Sequence, residues 1–222
     1  MPSGRVGALP PGESVVDEVL AAAQGIDIIG IYAAGPMYRG FANAEGQRNW
    51  HAAATFSLDW SLYHRADKAV KSLYAGFAWD AAAFDRRMAD ARERLALISR
   101  PPKSLSPGRY RAFLAPSALE EVMGLLGWGG FSGRALATQQ SALAKMRTTG
   151  ERLDPRVTIA EDTGAGVAPG FQAEGFARPA RVTLVQDGAL VGALVSPRTA
   201  REFDLAENGA NGAEMPESLA MS

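Results

Sequence analysis

The stretch AAAFDRRMADARERLALIS, residues 81–99, decides the architecture. Phe84, Met88, Ala91, Leu95 and Ile98 recur at steps of four, three, four and three, the repeat of an α-helix seen from one side. Arg86, Arg87, Asp90, Arg92, Glu93 and Arg94 fall mostly elsewhere on the turn, and Arg100 followed by Pro101–Pro102 closes the run. A helix with one oily stripe must cover something. The simplest object is a sheet built by the preceding residues; a partner surface is the alternative.

Those preceding residues read as strands. IDIIGIYAAG, the aromatic and β-branched run QRNWHAAATFSLDWSLYH, and KAVKSLYAGFAW are separated by turn-like gaps. Gaps at Gly35–Pro36, Asn43–Gly46 and Arg65–Asp67 predict an antiparallel meander. Ala52–Ala54 fits poorly, because alanine favours helix. Upstream, residues 1–12 read as a flexible lead. A helix follows to about Ala23, capped by Ser14, with Val15, Val19 and Leu20 on one side, Asp17 and Glu18 in its first turn, and Gly25 at its end.

Past the prolines, RYRAFLAP reads as a short strand. SALEEVMGLLGW then reads as a helix opened by a Ser117–Glu120 capping box and burying Leu119, Val122, Met123 and Leu126. Residues 129–151 suggest a looser helical stretch, and VTIAED a strand. ARVTLVQDGALVGALVS reads as a hairpin turned at Asp187–Gly188, and SPRTAREF as a helix capped by Ser196 with Pro197 first. From Asp204 the periodicity stops, and the tail reads as polar, unpaired and cut rather than finished. The expectation is an α+β chain of antiparallel β-sheets with covering helices. It divides into a region over 13–100 (meander plus amphipathic helix) and a second over 107–222.

Composition narrows the function classes. The 222 residues are 47% apolar and 21% charged, as in a folded chain, and carry a formal charge of −1. That balance gives no electrostatic case for a nucleic-acid partner. With no cysteine, the chain offers neither disulfide nor thiolate ligand. No apolar run approaches the ~20 residues of a membrane helix, and the opening residues lack a secretory core, so we expect a cytoplasmic protein without membrane contact.

The candidates for chemistry are few. GLLGWGGFSG, residues 124–133, follows a helix and has no lysine, so it does not match a phosphate loop. Its glycines more simply end the helix and permit close packing around Trp128. His51 and His64 are the only histidines. A two-histidine metal site completed by Asp59 or Asp67 requires the fold to bring them together; otherwise they are packed or exposed. Glu120–Glu121 and Glu161–Asp162 are adjacent pairs, poorly placed to share a proton. Arg48, Trp50, Phe56 and Trp60 share parity, so an unbroken strand places them on one face, either as core with a charged rim or as a peptide-recognition surface that includes His51.

Several stretches, in order from about residue 26 to 212, resemble the TldD/PmbA family of metallopeptidase-like proteins, known also as modulators of DNA gyrase. They are GFANAEGQRNWH, SLDWSLYH, AVKSLYAGF, RYRAFLAPSALEEV, LDPRVTIAED, PARVTLVQDGALVGALVSPRTAREF and ENGA. The resemblance implies that the second region begins a C-terminal peptidase-like domain, and that the chain is the central part of a longer protein. Catalytic members carry His-Glu-x-x-x-His on a helix after Ala-Pro. Aligned on Ala115–Pro116, that motif falls on Gly124, Leu125 and Gly129, none of which can bind zinc or accept a proton through its side chain. The family's further ligand is a cysteine much nearer the end of a complete member, so its absence here carries no weight. The resemblance therefore implies the PmbA/TldE-like branch: no catalytic residue, no metal and no cofactor of its own. The implied partners are a TldD-like catalytic subunit or a second copy, and a peptide or unfolded polypeptide, with Arg48, Trp50, His51, Trp60 and Trp128 as candidate peptide contacts. An active peptidase with an unorthodox metal site, or a purely structural fragment, are the alternatives.

Overall fold

The computed structural model describes residues 2–3, 7, 9–65 and 67–222; part of the 1–12 lead and Ala66 of the Arg65–Asp67 turn lie outside the described residues. The elements, in chain order, are β1 (Pro2–Ser3), α1 (Gly12–Ala22), β2 (Asp27–Ala42), β3 (Arg48–Arg65), β4 (Lys68–Gly76) and α2 (Ala81–Ile98). Then come α3 (Pro116–Gly127), α4 (Gly133–Ala137), α5 (Ala144–Thr149), β5 (Ile159–Asp162), β6 (Arg181–Gln186), β7 (Ala189–Leu190), α6 (Pro197–Phe203) and β8 (Leu219–Met221). The architecture is α+β, two sheets with antiparallel ladders and helices over them. It forms two compact units. One comprises Arg5–Met37 and Ala53–Phe113, the other Met1–Gly4, Tyr38–Ala52 and Leu114–Ser222.

In the first unit α2 covers the sheet. Asp80 caps it by accepting the Ala83 N–H at 3.2 Å. Phe84, Met88, Ala91 and Leu95 are buried against Phe56, Leu58, Trp60, Leu62, Val70 and Tyr74. Ile98, the last member of the predicted stripe, is exposed, because the helix ends there. In α1, Val15 is buried but Leu20 is not. The Ser14 hydroxyl donates to the Pro11 carbonyl from inside the first turn, so it is no cap; Glu13, rather than Asp17 or Glu18, is the first-turn acid.

The strand register corrects two expectations. Gly35–Pro36 is not a turn: β2 runs through it without a break. β2 is an edge strand of its sheet, the place within a sheet where proline is tolerated. The aromatic face on β3 does not form either. Side chains at 56, 58, 60 and 62 are buried, whereas in the first part of the strand His51 and Ala53 are buried and Arg48 and Trp50 are exposed. The parity reverses at Ala53–Ala54, both buried, at the boundary between the units. Two consecutive strand residues point to opposite faces, so covering both favours small side chains. The alanine run overrides its helical propensity for that reason.

In the second unit the sheet order is β7-β6-β5-β8. The Asp187–Gly188 turn has both residues at positive φ, +49° and +77°, as a tight hairpin demands. Ser196 caps α6 by accepting the Thr199 N–H at 3.2 Å. The polar tail is not unpaired: β8 adds to β5 in antiparallel register, and Ala210 and Glu214 are buried. RYRAFLAP forms no strand; its residues are exposed coil up to Ala115. The loose stretch after Gly129 resolves into the short helices α4 and α5.

Replacing Phe84 with alanine should cost about 3–5 kcal/mol of unfolding free energy, against about 0.5 kcal/mol for Ile98→Ala, as read from denaturant melts.

Candidate functional site

The best candidate is the open cleft beside α3. Ala115 is extended at ψ 156°, and Pro116 starts the helix with its φ already set. The predicted Ser117–Glu120 capping box does not form, because Ala115, two residues earlier, is the N-cap and offers no side-chain oxygen. Leu119, Met123 and Leu126 are half-buried, and Val122 points outward. The helix stops at Gly127. Trp128 N–H returns to the Gly124 carbonyl at 3.1 Å and Gly130 N–H to that of Leu126 at 2.9 Å. Gly129 sits at φ +82°, the left-handed position where a helix end wants glycine. A Cβ on Gly130 would overlap the Leu126 carbonyl oxygen. The glycines do end the helix. They do not pack around Trp128, which is 79% exposed; the buried aromatic anchor is Phe131.

Facing α3 across a cleft of about 620 Å³ runs the segment Met215–Met221, with Leu119, Met123, Gly124, Met215, Leu219 and Met221 among the lining residues. Glu120 and Glu217 add two carboxylates to this lining. The segment is held by Glu161, a buried carboxylate that accepts the Glu217 and Ser218 N–H groups at 3.0 and 3.1 Å. The nearly buried Arg178 guanidinium stands 3.9 Å from Glu161 and 3.0 Å from Glu217. Burying a charge demands such partners.

A second buried carboxylate fixes the loop after α3. Glu214 accepts the Ser132 hydroxyl at 2.6 Å, the Arg134 N–H at 3.0 Å and the Ser196 N–H at 2.8 Å. Burial pushes its pKa up. The Arg134 N–H, the Ser132 and Thr199 hydroxyls and the Ser196 N–H together outweigh that and hold it below the ordinary glutamate value. Glu214 carried no signal in the sequence, and Glu161 only that of a carboxylate adjacent to Asp162. Their partners lie 18 to 82 positions away, where no local spacing rule reaches.

Gly124 lines the cleft, and a Cβ added there would meet nothing within 4 Å. Leu125 is 73% exposed. These positions and Gly129 present hydrogen, hydrocarbon and backbone, which do not fit a zinc ion. The other candidates are dispersed. Trp50, half exposed, stacks on Tyr38 with ring centroids 5.7 Å apart; Arg48 is exposed, and His51 and Trp60 are buried at 1%. A buried Trp60 cannot touch a peptide. His51 and His64 lie on one unbroken strand, which separates them by on the order of 40 Å at ~3.3 Å per residue. They do not converge, and Asp59 is occupied by Lys71 at 3.1 Å. Among the described residues no group of three or more His, Cys, Asp or Glu is placed to hold a metal, and no helix is long and apolar enough to cross a membrane.

Residues 107–222 match the family model described as the PmbA/TldA metallopeptidase C-terminal domain. No curated protein matches the chain. Among solved structures, it is similar to a Thermotoga maritima protein labelled a modulator of a DNA gyrase, with 16% identity and a TM-score of 0.73 over 96% of this chain and 52% of that one. A Bacteroides thetaiotaomicron protein with a like label gives 16% and 0.73 over 96% and 50%. TldE from Thermococcus kodakarensis gives 12% and 0.66 over 100% and 57%. The likeness is one of fold, and the chain spans about half the length of these proteins.

Two outcomes test this geometry. Because folding lowers the Glu214 pKa, its contribution is complete above the ordinary value of 4.5 and is lost as pH falls through the folded one. Glu214→Gln should therefore destabilise at pH 7 by about 1–3 kcal/mol and flatten the acid limb of the stability profile. Trp128→Ala should change stability by less than about 1 kcal/mol, as for a surface residue.

Proposed function

The chain belongs to the PmbA/TldA metallopeptidase C-terminal domain family, and from that premise we propose that it acts in proteolysis without a metal of its own. It serves as a companion subunit, or as a scaffold that holds peptide, in the manner of the PmbA/TldE-like branch. The observation that carries this reading is the chemistry at the C-terminal end of α3: Gly124 lines the cleft, Leu125 beside it is exposed, Gly129 follows the helix end, and none of the three carries a donor atom on its side chain. Zinc sites are made from imidazole, thiolate and carboxylate, and a general base from a group that can take a proton. Glycine and leucine do neither.

The same surface supports a holding role. Leu125 and Trp128 are large, apolar and exposed, and such side chains mark places where another chain sits. The catalytic partner would supply Lewis acid and water, while this chain supplies shape and apolar contact. We place the peptide in the cleft beside α3, with Trp128 at its rim; Arg48 and Trp50 offer a separate contact on the hairpin, and Trp60 and His51 none. Residues 13–100 then form the end of an N-terminal region and 107–222 the start of the peptidase-like domain. We assign the protein to the cytoplasm, and assign it no DNA contact.

Two measurements check the proposal. Purified protein should contain far less than one zinc per chain by elemental analysis, and chelation should leave its melting temperature unchanged, since a structural ion would contribute directly to folding. Co-purification from the native host should recover a relative bearing the His-Glu-x-x-x-His motif or a second copy of the chain. Stoichiometric zinc, or peptide hydrolysis by this chain alone, would overturn it.

A further inference from the structure

A second cleft, of about 570 Å³, lies away from α3 and is lined by Phe176, Pro197, Arg198, Arg201 and Glu202. Arg198 and Arg201 are three apart on α6, so their side chains rise from neighbouring turns of one helix face. Both are exposed, and neither is within 4.0 Å of a carboxylate among the described residues. Their contrast is Arg178 in the same unit, whose side chain is buried and forms ion pairs with Glu161 and Glu217. The same cleft is lined by Phe176, a phenyl ring 46% exposed where a core residue would be covered.

We propose that this cleft binds an acidic peptide segment, a carboxylate flanked by an apolar side chain. Charge complementarity selects the ligand. Two arginines and Glu202 leave the cleft with one net positive charge, which a single carboxylate neutralises and a phosphate dianion exceeds. Guanidinium forks meet carboxylates bidentately, giving direction as well as attraction. The α6 N-terminus adds little for an anion: Pro197 has no N–H, and the Thr199 N–H is already taken by the Ser196 hydroxyl. Phosphate recognition generally draws on such backbone donors. Phe176 and Pro197 supply the apolar wall for the side chain beside the carboxylate. The site is distinct from the α3 cleft, so its failure would leave the companion-subunit reading intact, and the converse holds.

The test uses the full chain and a fluorescein-labelled peptide carrying one glutamate between a leucine and a phenylalanine, with fluorescence anisotropy as the readout. A matched peptide with glutamine replacing the glutamate, and inorganic phosphate as a competitor, complete the set. Binding of the glutamate peptide should weaken by about tenfold or more in the Arg198→Ala/Arg201→Ala variant and with the glutamine peptide, and should fall with added salt. Phe176→Ala should weaken it as well. Both variants alter exposed side chains, so melting temperatures should match the parent, and a variant that melts early is replaced by Arg201→Gln. Equal binding of the two peptides, indifference to the arginine variants, or displacement by phosphate at concentrations that compete with the peptide would overturn the assignment.

Discussion

An eighteen-residue strand has two faces and must place each side chain on one of them, and β3 meets that constraint differently along its length. From Phe56 to Leu62 the even-numbered side chains enter an aromatic and aliphatic core beneath α2. At His51 and Ala53 the odd-numbered ones are buried. The exchange needs a place where both faces can be covered, and Ala53–Ala54 provides it with the least volume. Larger side chains at either position would have to find room in a close-packed interior. The exposure of Trp50 and the burial of Trp60, which the strand's parity alone would have put on one face, follow from this short alanine run.

The second unit depends on carboxylates in an equivalent way. Its C-terminal segment has little apolar periodicity with which to bury itself, and two glutamates hold it. Glu214 gathers the Ser132 hydroxyl and the backbone of Arg134 and Ser196, while Glu161 takes the N–H groups of Glu217 and Ser218. Each buried carboxylate accepts several hydrogen bonds, so its oxygens are not left unsatisfied inside the protein. One of these fixes the glycine-rich loop that follows α3, and the other fixes the opposite wall of the cleft. The candidate site is thereby shaped by groups that do no chemistry in it.

Much of the fold was legible locally. The α2 stripe, the Asp187–Gly188 hairpin and the Ser196–Pro197 helix start each depend on residues within a turn or two of one another, where period and capping rules apply. The local rules failed where a more distant or competing group won. Pro36 suggests a break, but an edge strand tolerates proline; Ser117 suggests a cap, but Pro116 before it already begins the helix. RYRAFLAP has strand composition and no strand to pair with. Trp128 has the size and apolarity of a core residue, yet the helix end that carries it turns it outward.

What residue identity alone determined is the chemistry that is missing. With no histidine after His64 and no cysteine at all, no alignment slip can put an imidazole or thiolate on α3, because a side chain's donor atoms do not depend on the fold. The tertiary structure decided everything that rests on distance. It separated His51 from His64 along one strand, hid Trp60 and exposed Trp128. It also drew Glu214 and Glu161 into the interior beside partners remote in the chain. Burial and long-range hydrogen bonding depend on where segments meet, and that is a property of the folded whole.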